Sequence, residues 1–134
     1  MNRHISEKLR QIVAERAGFR CEYCKIHEED SFFSFQVDHI ISLKHGGTTT
    51  PENLAWSCYP CNNAKSSDVG TVILPDKTFI RLFNPREDEW LEHFEYESGV
   101  VYAKTHIGTA TVKVLKINDI DRIVERNLLS FDYP

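Results

Sequence analysis

Two cysteine pairs, Cys21-Glu22-Tyr23-Cys24 and Cys58-Tyr59-Pro60-Cys61, hold every cysteine of the 134-residue chain and constrain its fold more than any other feature. Two residues between thiolates let a tight turn aim both sulfurs at one ion, and four sulfurs close a tetrahedron around zinc with no position left for substrate or water. Such an ion holds structure and does no chemistry. It would fasten two distant segments and fix the loop 25–57 at its base. The rival readings are four small buried apolar residues, or a redox pair with two spectators. Paired spacing that occurs twice, with turn residues around it, favours zinc.

Inside that loop the stretch FSFQVDHIISLKHGG, residues 33–47, sets Asp38 and His39 side by side in an apolar run of strand type, ahead of a glycine pair. Successive strand side chains point to opposite faces, so a regular strand cannot turn both groups to one site. The strand is therefore expected to end or turn there, with Ser42 to Gly47 as the loop.

Hydrophobic residues at 41% and charged residues at 27% are ordinary for a globular chain of one domain. No apolar run approaches the roughly 20 residues that span a bilayer, and MNRHISEKLRQIVAER lacks the apolar centre of a secretory signal, so no membrane association and a cytoplasmic location are expected. The net charge of −4 argues against nucleic-acid binding through bulk positive potential. Its distribution weakens that objection: residues 1–26 carry six basic side chains against three acidic ones, leaving room for a local basic face.

Ile5, Leu9, Ile12 and Val13 predict a helix over residues 5–17, stopped at Gly18. SCYPCNNAKSS reads as a second turn leading into a short helix, and Pro51-Glu52-Asn53 as an ordinary turn or the start of a short helical one. Beyond residue 70, TVILPDKTFIRLFNP and FEYESGVVYAKTH are strand-like, with turn signals at Pro75-Asp76 and Ser98-Gly99. Residues 108–119 and 119–129 read as helical, the second with Ile120, Ile123, Val124 and Leu128 on one side. Phe32, Phe33, Phe35, Trp56, Phe79, Phe83, Trp90, Phe94 and Tyr96 are expected to build core, with Trp90 and Phe94 as an i, i+4 pair. His4, His27, His93 and His106 show no partner pattern and are assigned surface or packing roles.

The ordered elements C-x2-C, VDHIISLKHGG, ENL and CN-x2-K, over about residues 18–66, resemble the HNH endonucleases, nucleases with a ββα-metal site. The resemblance implies that His39 is the general base that activates water and that Asp38 is a carboxylate ligand of a catalytic divalent cation. It further implies that Asn53 braces the loop backbone and that Asn62 is the second ligand of that cation. Oxygen ligands of this kind suit Mg2+ or Mn2+, whereas Cys21, Cys24, Cys58 and Cys61 suit structural Zn2+. His45 in the glycine turn and Lys65, one helical turn after Asn62, are candidate phosphate contacts. The stretch from Arg81 to Asp119 also resembles the tail of small stand-alone HNH proteins of bacteria. Its acidic residues Glu87, Asp88, Glu89, Glu92, Glu95 and Glu97 would repel a nucleic-acid backbone, so substrate is expected on the side of the first helix.

The expected fold is α+β: an N-terminal helix, a ββα-metal motif stapled by the four cysteines, then a hairpin-plus-helices extension. Residues 1–68 would hold the helix and nuclease motif, and 69–134 an extension packed on it in one compact domain. The function expected is metal-dependent endonucleolytic cleavage, with DNA favoured over RNA as the partner. The alternative is a zinc-ribbon module that binds nucleic acid without cutting, which has no need of the Asp38, His39 and Asn62 set.

Overall fold

The computed structural model describes residues 5–128. His4, assigned a surface or packing role above, and the last residue of the predicted helical stretch 119–129 lie outside the described residues. The chain divides after Asp68 into two compact units, both of mixed helix and strand. Among the described residues no helix is long and apolar enough to cross a membrane.

The first unit opens with α1, Glu7–Arg16, capped by Ser6, whose hydroxyl accepts the Leu9 N–H at 3.1 Å. Gly18 and Phe19 follow with φ of 64° and 60°, which turn the chain out of the helix. Of the four predicted apolar positions only Val13 is fully enclosed, and Ile12 is 42% exposed. Arginines do the rest of the docking. Arg16 donates to the carbonyls of Pro51 and Leu54 at 2.9 and 2.6 Å, and Arg10 donates to Phe35 O at 2.7 Å while lying 4.8 Å over the Trp56 ring.

Strands β1, Gln36–His39, and β2, Leu54–Ser57, pair antiparallel, with Asp38 opposite Ala55 and His39 opposite Leu54. Helix α2, Tyr59–Lys65, follows directly, with Pro60 in its first turn, where the missing N–H costs nothing. This is the ββα arrangement that the resemblance to HNH endonucleases implied. β2 is buried along its whole length, and enclosing Leu54 alone contributes roughly 1.5–3 kcal/mol.

Among its described residues the second unit has two hairpins, one around each of the turn signals at Pro75-Asp76 and Ser98-Gly99. β3, Gly70–Ile73, pairs with β4, Thr78–Arg81. β5, Phe94–Glu97, pairs with β6, Val100–Ala103, across a turn in which Ser98 and Gly99 both take positive φ. A short helix α3, Trp90–His93, precedes β5, and α4, His106–Val114, follows β6. The buried Phe94 ring lies 5.4 Å from that of Phe83 and 5.0 Å from that of Trp90. His93 has the packing role expected of it, with Nδ1 2.7 Å from Thr105 Oγ1. Asp88 is not a freely solvated acid: it takes both arms of Arg81 at 2.7 and 2.9 Å.

Helix α5, Ile120–Leu128, reverses the usual pattern. Its predicted apolar stripe is exposed at Ile120, Val124 and Leu128, while Arg122 and Arg126 are buried. The reason is a shortage of donors. Arg122 satisfies the carbonyls of Leu115 and Lys116, and Arg126 those of Gly99 and Ile117, all left open where α4 and the hairpin turn end. Phe32, Phe33 and Phe79, expected in the core, are exposed instead, at 94%, 61% and 59%.

Candidate active site

The two cysteine pairs meet. The knuckle from Cys21 is closed by Cys21 N–H to Ile26 O and Lys25 N–H to Cys21 O, both 2.9 Å, and Lys25 turns the chain with a φ of 71°. Cys58 stands at the N-cap of α2 and Cys61 in its first turn. All four Sγ atoms lie within 4.8 Å of one another, with Cys24 and Cys58 at 3.7 Å. Zinc–sulfur bonds of about 2.3 Å place tetrahedral sulfurs about 3.8 Å apart, so the cluster fits a structural zinc ion. The thiols are not equivalent: hydrogen bonding to Cys21 pushes the Cys58 thiol up and burial does the same to Cys61, whereas the Cys21 thiol is drawn down against its burial by hydrogen bonds from Cys58 and Cys61. Glu22 stitches the knuckle to β2, accepting the Trp56 N–H at 2.8 Å while its own N–H reaches Trp56 O at 2.8 Å.

β1 ends at His39, and the chain leaves it through a short 3-10 turn, Leu43–His45. Asn53 holds this departure in place. Its Oδ1 accepts the Ile41 N–H at 3.0 Å, and its Nδ2 donates to Ile41 O and Thr48 O, both at 2.8 Å. The two glycines of the turn differ in kind. Gly46 has a φ of 90° and open space around it, whereas a Cβ on Gly47 would collide with the Ile41 carbonyl and stand 2.8 Å from Asn53 Nδ2. Asn53→Ala removes three hydrogen bonds that hold the backbone of Ile41 and Thr48 in place. It is expected to lower stability by about 2–3 kcal/mol, measurable as a reduced denaturant midpoint with unchanged slope.

Asp38, His39 and Asn62 line one cleft of about 440 Å³, together with Ser42, Lys44, Ser66 and Ser67. His39 is half-buried, its Nε2 3.0 Å from Thr49 Oγ1. Asn62, on α2, donates to Gln36 Oε1 at 3.2 Å. Asp38 is only 3% exposed, and burial pushes its carboxyl up against the opposing pull of Lys65 and Tyr23. The Tyr23 hydroxyl donates to Oδ2 at 2.6 Å. Burial first, and then the Asp38 charge, pushes that phenol well above its ordinary value, so it remains a donor.

Lys65 is corrected from its expected role. A lysine one turn after Asn62 was to meet a phosphate, but it is 2% exposed and its ammonium is bound beneath the cleft. It lies 3.2–3.3 Å from the two Asp38 oxygens and donates to His39 O and Ile40 O at 3.2 and 3.1 Å. His45 is exposed on the turn and is not among the residues lining the cleft. Tyr23, Thr49, Ser42 and Lys44 escaped the sequence reading, since no spacing rule links a knuckle tyrosine or a loop threonine to a strand 10 to 15 residues away.

Residues 21–68 match the HNH endonuclease family model. Among curated proteins the chain is similar to Septu protein PtuA of Bacillus mycoides (strain KBAB4), 28% identical over 127 residues that cover 74% of this chain and 17% of that protein. The chain thus spans about a sixth of the length of that relative. No solved structure gives a significant match.

Proposed function

With an HNH endonuclease domain at residues 21–68 as the premise, we propose that this chain is a metal-dependent endonuclease that hydrolyses phosphodiester bonds of DNA in the cytoplasm. The observation that carries this reading is the convergence of Asp38, His39 and Asn62 on one cleft above a four-cysteine cluster. A binding module needs the cluster but not the trio.

Phosphodiester hydrolysis requires an activated water, charge neutralisation at the phosphoryl oxygens and a stabilised leaving oxygen. His39 takes the proton from water, its ring oriented by Thr49. Asp38 and Asn62 offer oxygens to a cation, the donor set that suits Mg2+ or Mn2+. A divalent cation held there supplies the Lewis acidity that neutralises the phosphate and the departing alkoxide. Asn53 acts at one remove, fixing the backbone that follows His39. Lys44, exposed at the cleft edge, brings positive charge to an incoming phosphate.

The test is incubation of the zinc-loaded chain with supercoiled plasmid, single-stranded DNA and RNA, each with Mg2+ or Mn2+. Nicking of plasmid that requires the added cation is the expected result. Binding without cleavage across this panel would instead favour the non-catalytic module, and cleavage of RNA alone would move the substrate class.

A further inference from the structure

Tyr23 occupies the middle of the first cysteine pair, and its side chain leaves the metal cluster altogether. The ring is fully buried, and its hydroxyl meets Asp38 Oδ2 at 2.6 Å, the shortest bond that carboxylate makes. From the opposite side Lys65 reaches both Asp38 oxygens. The ammonium is held there by backbone as well as by the carboxylate. Its three protons have three acceptors, Asp38 and the carbonyls of His39 and Ile40, so it is a fixed part of the fold and not a stand-in that an arriving cation would evict.

An ionised carboxylate offers about four lone-pair directions. Tyr23 donates to Oδ2 and Lys65 to Oδ1, with the ammonium also 3.2 Å from Oδ2. Two donors leave lone-pair directions spare, on a residue that lines the cleft. Hydrogen-bond partners behind a metal-binding carboxylate fix its rotation and its basicity, and their loss costs metal affinity even though they never touch the ion.

We propose that Tyr23 is a positioning residue of the nuclease site: with Lys65 it locks the Asp38 carboxylate in one rotation at the cleft, and so makes cation binding depend on the geometry of the cysteine cluster. The inference rests on the nuclease reading above, in which Asp38 holds the cation. It gives the structural metal a second task. A knuckle held by zinc sets the place of Tyr23, and Tyr23 sets the place of a carboxylate 15 residues further along the chain.

Tyr23→Phe deletes the hydroxyl and keeps the buried ring. Mn2+ binding to the zinc-loaded full chain, followed by the electron paramagnetic resonance of free Mn2+ without nucleic acid, compares wild type, Tyr23→Phe, Asp38→Asn and the double variant. The dissociation constant is expected to rise roughly tenfold in Tyr23→Phe, with zinc content and circular dichroism unchanged. No further rise is expected when Tyr23→Phe is added to Asp38→Asn, because the two act through one carboxylate. A Tyr23→Phe curve that overlays wild type overturns the proposal. So does an equal loss in the Asp38→Asn background, loss of zinc from Tyr23→Phe, or Mn2+ binding by wild type that Asp38→Asn leaves untouched. A wild type that binds Mn2+ through Asp38 but nicks no plasmid sinks the nuclease reading instead, and the comparison of Tyr23 variants stands by itself.

Discussion

Stripping zinc from the four-cysteine cluster is expected to unfold the β1–β2–α2 region rather than merely loosen it. The cluster joins the knuckle at Cys21 and Cys24 to the start of α2, and the bonds from Glu22 to Trp56 and from Tyr23 to Asp38 both depend on the knuckle keeping its shape. Apparent zinc free energies of about 10–16 kcal/mol in small structural sites are as large as the whole stability of a typical domain, about 5–15 kcal/mol. Trp56, 3% exposed on β2, reports the event. With a strong chelator its emission should shift to the red and the cooperative transition of this region should vanish, both recovering on readdition of zinc. An unchanged spectrum after verified metal removal would refute the structural role. Cys61→Ser should behave like the chelated protein, since three thiolates cannot close the tetrahedron.

The second large effect is confined to chemistry. His39→Ala is expected to reduce cation-dependent plasmid nicking by roughly 10²–10⁴, the range in which removal of a general base falls. The side chain is half-buried at the end of β1, and its loss leaves the Asn53 bonds, the Lys65 anchor and the cysteine cluster in place. Zinc content and melting temperature should therefore stay close to wild type. Equal nicking rates for the two proteins would remove His39 from the mechanism. A variant that loses both rate and zinc would show that the residue supports the fold.

Spacing made some of this site readable without coordinates. Two C-x2-C pairs can hardly avoid a shared metal, and an aspartate beside a histidine at the end of an apolar run marks a strand that stops there. Lys65 was misjudged because a lysine is ordinarily at the surface, and the groups that bury it arrive from β1, 25 to 27 residues away. Helix periodicity correctly grouped Ile120, Val124 and Leu128, but periodicity is silent about which side a helix turns inward. At α5 the unpaired carbonyls of Leu115, Ile117 and Gly99 decide in favour of arginine. Phe32 and Phe33 fell to a similar ambiguity, since an apolar run next to a strand need not share its burial.

The adjacent glycines of the 42–47 loop would leave opposite records in a saturation library. Position 46 demands only an uncommon backbone angle, so asparagine and aspartate should survive there best. Position 47 has no room for a methyl group, and its obstruction is the very carbonyl and amide that Asn53 joins. Gly47→Ala and Asn53→Ala should then be phenocopies, two lesions of one joint, whereas Gly46→Asn should pass selection almost unnoticed.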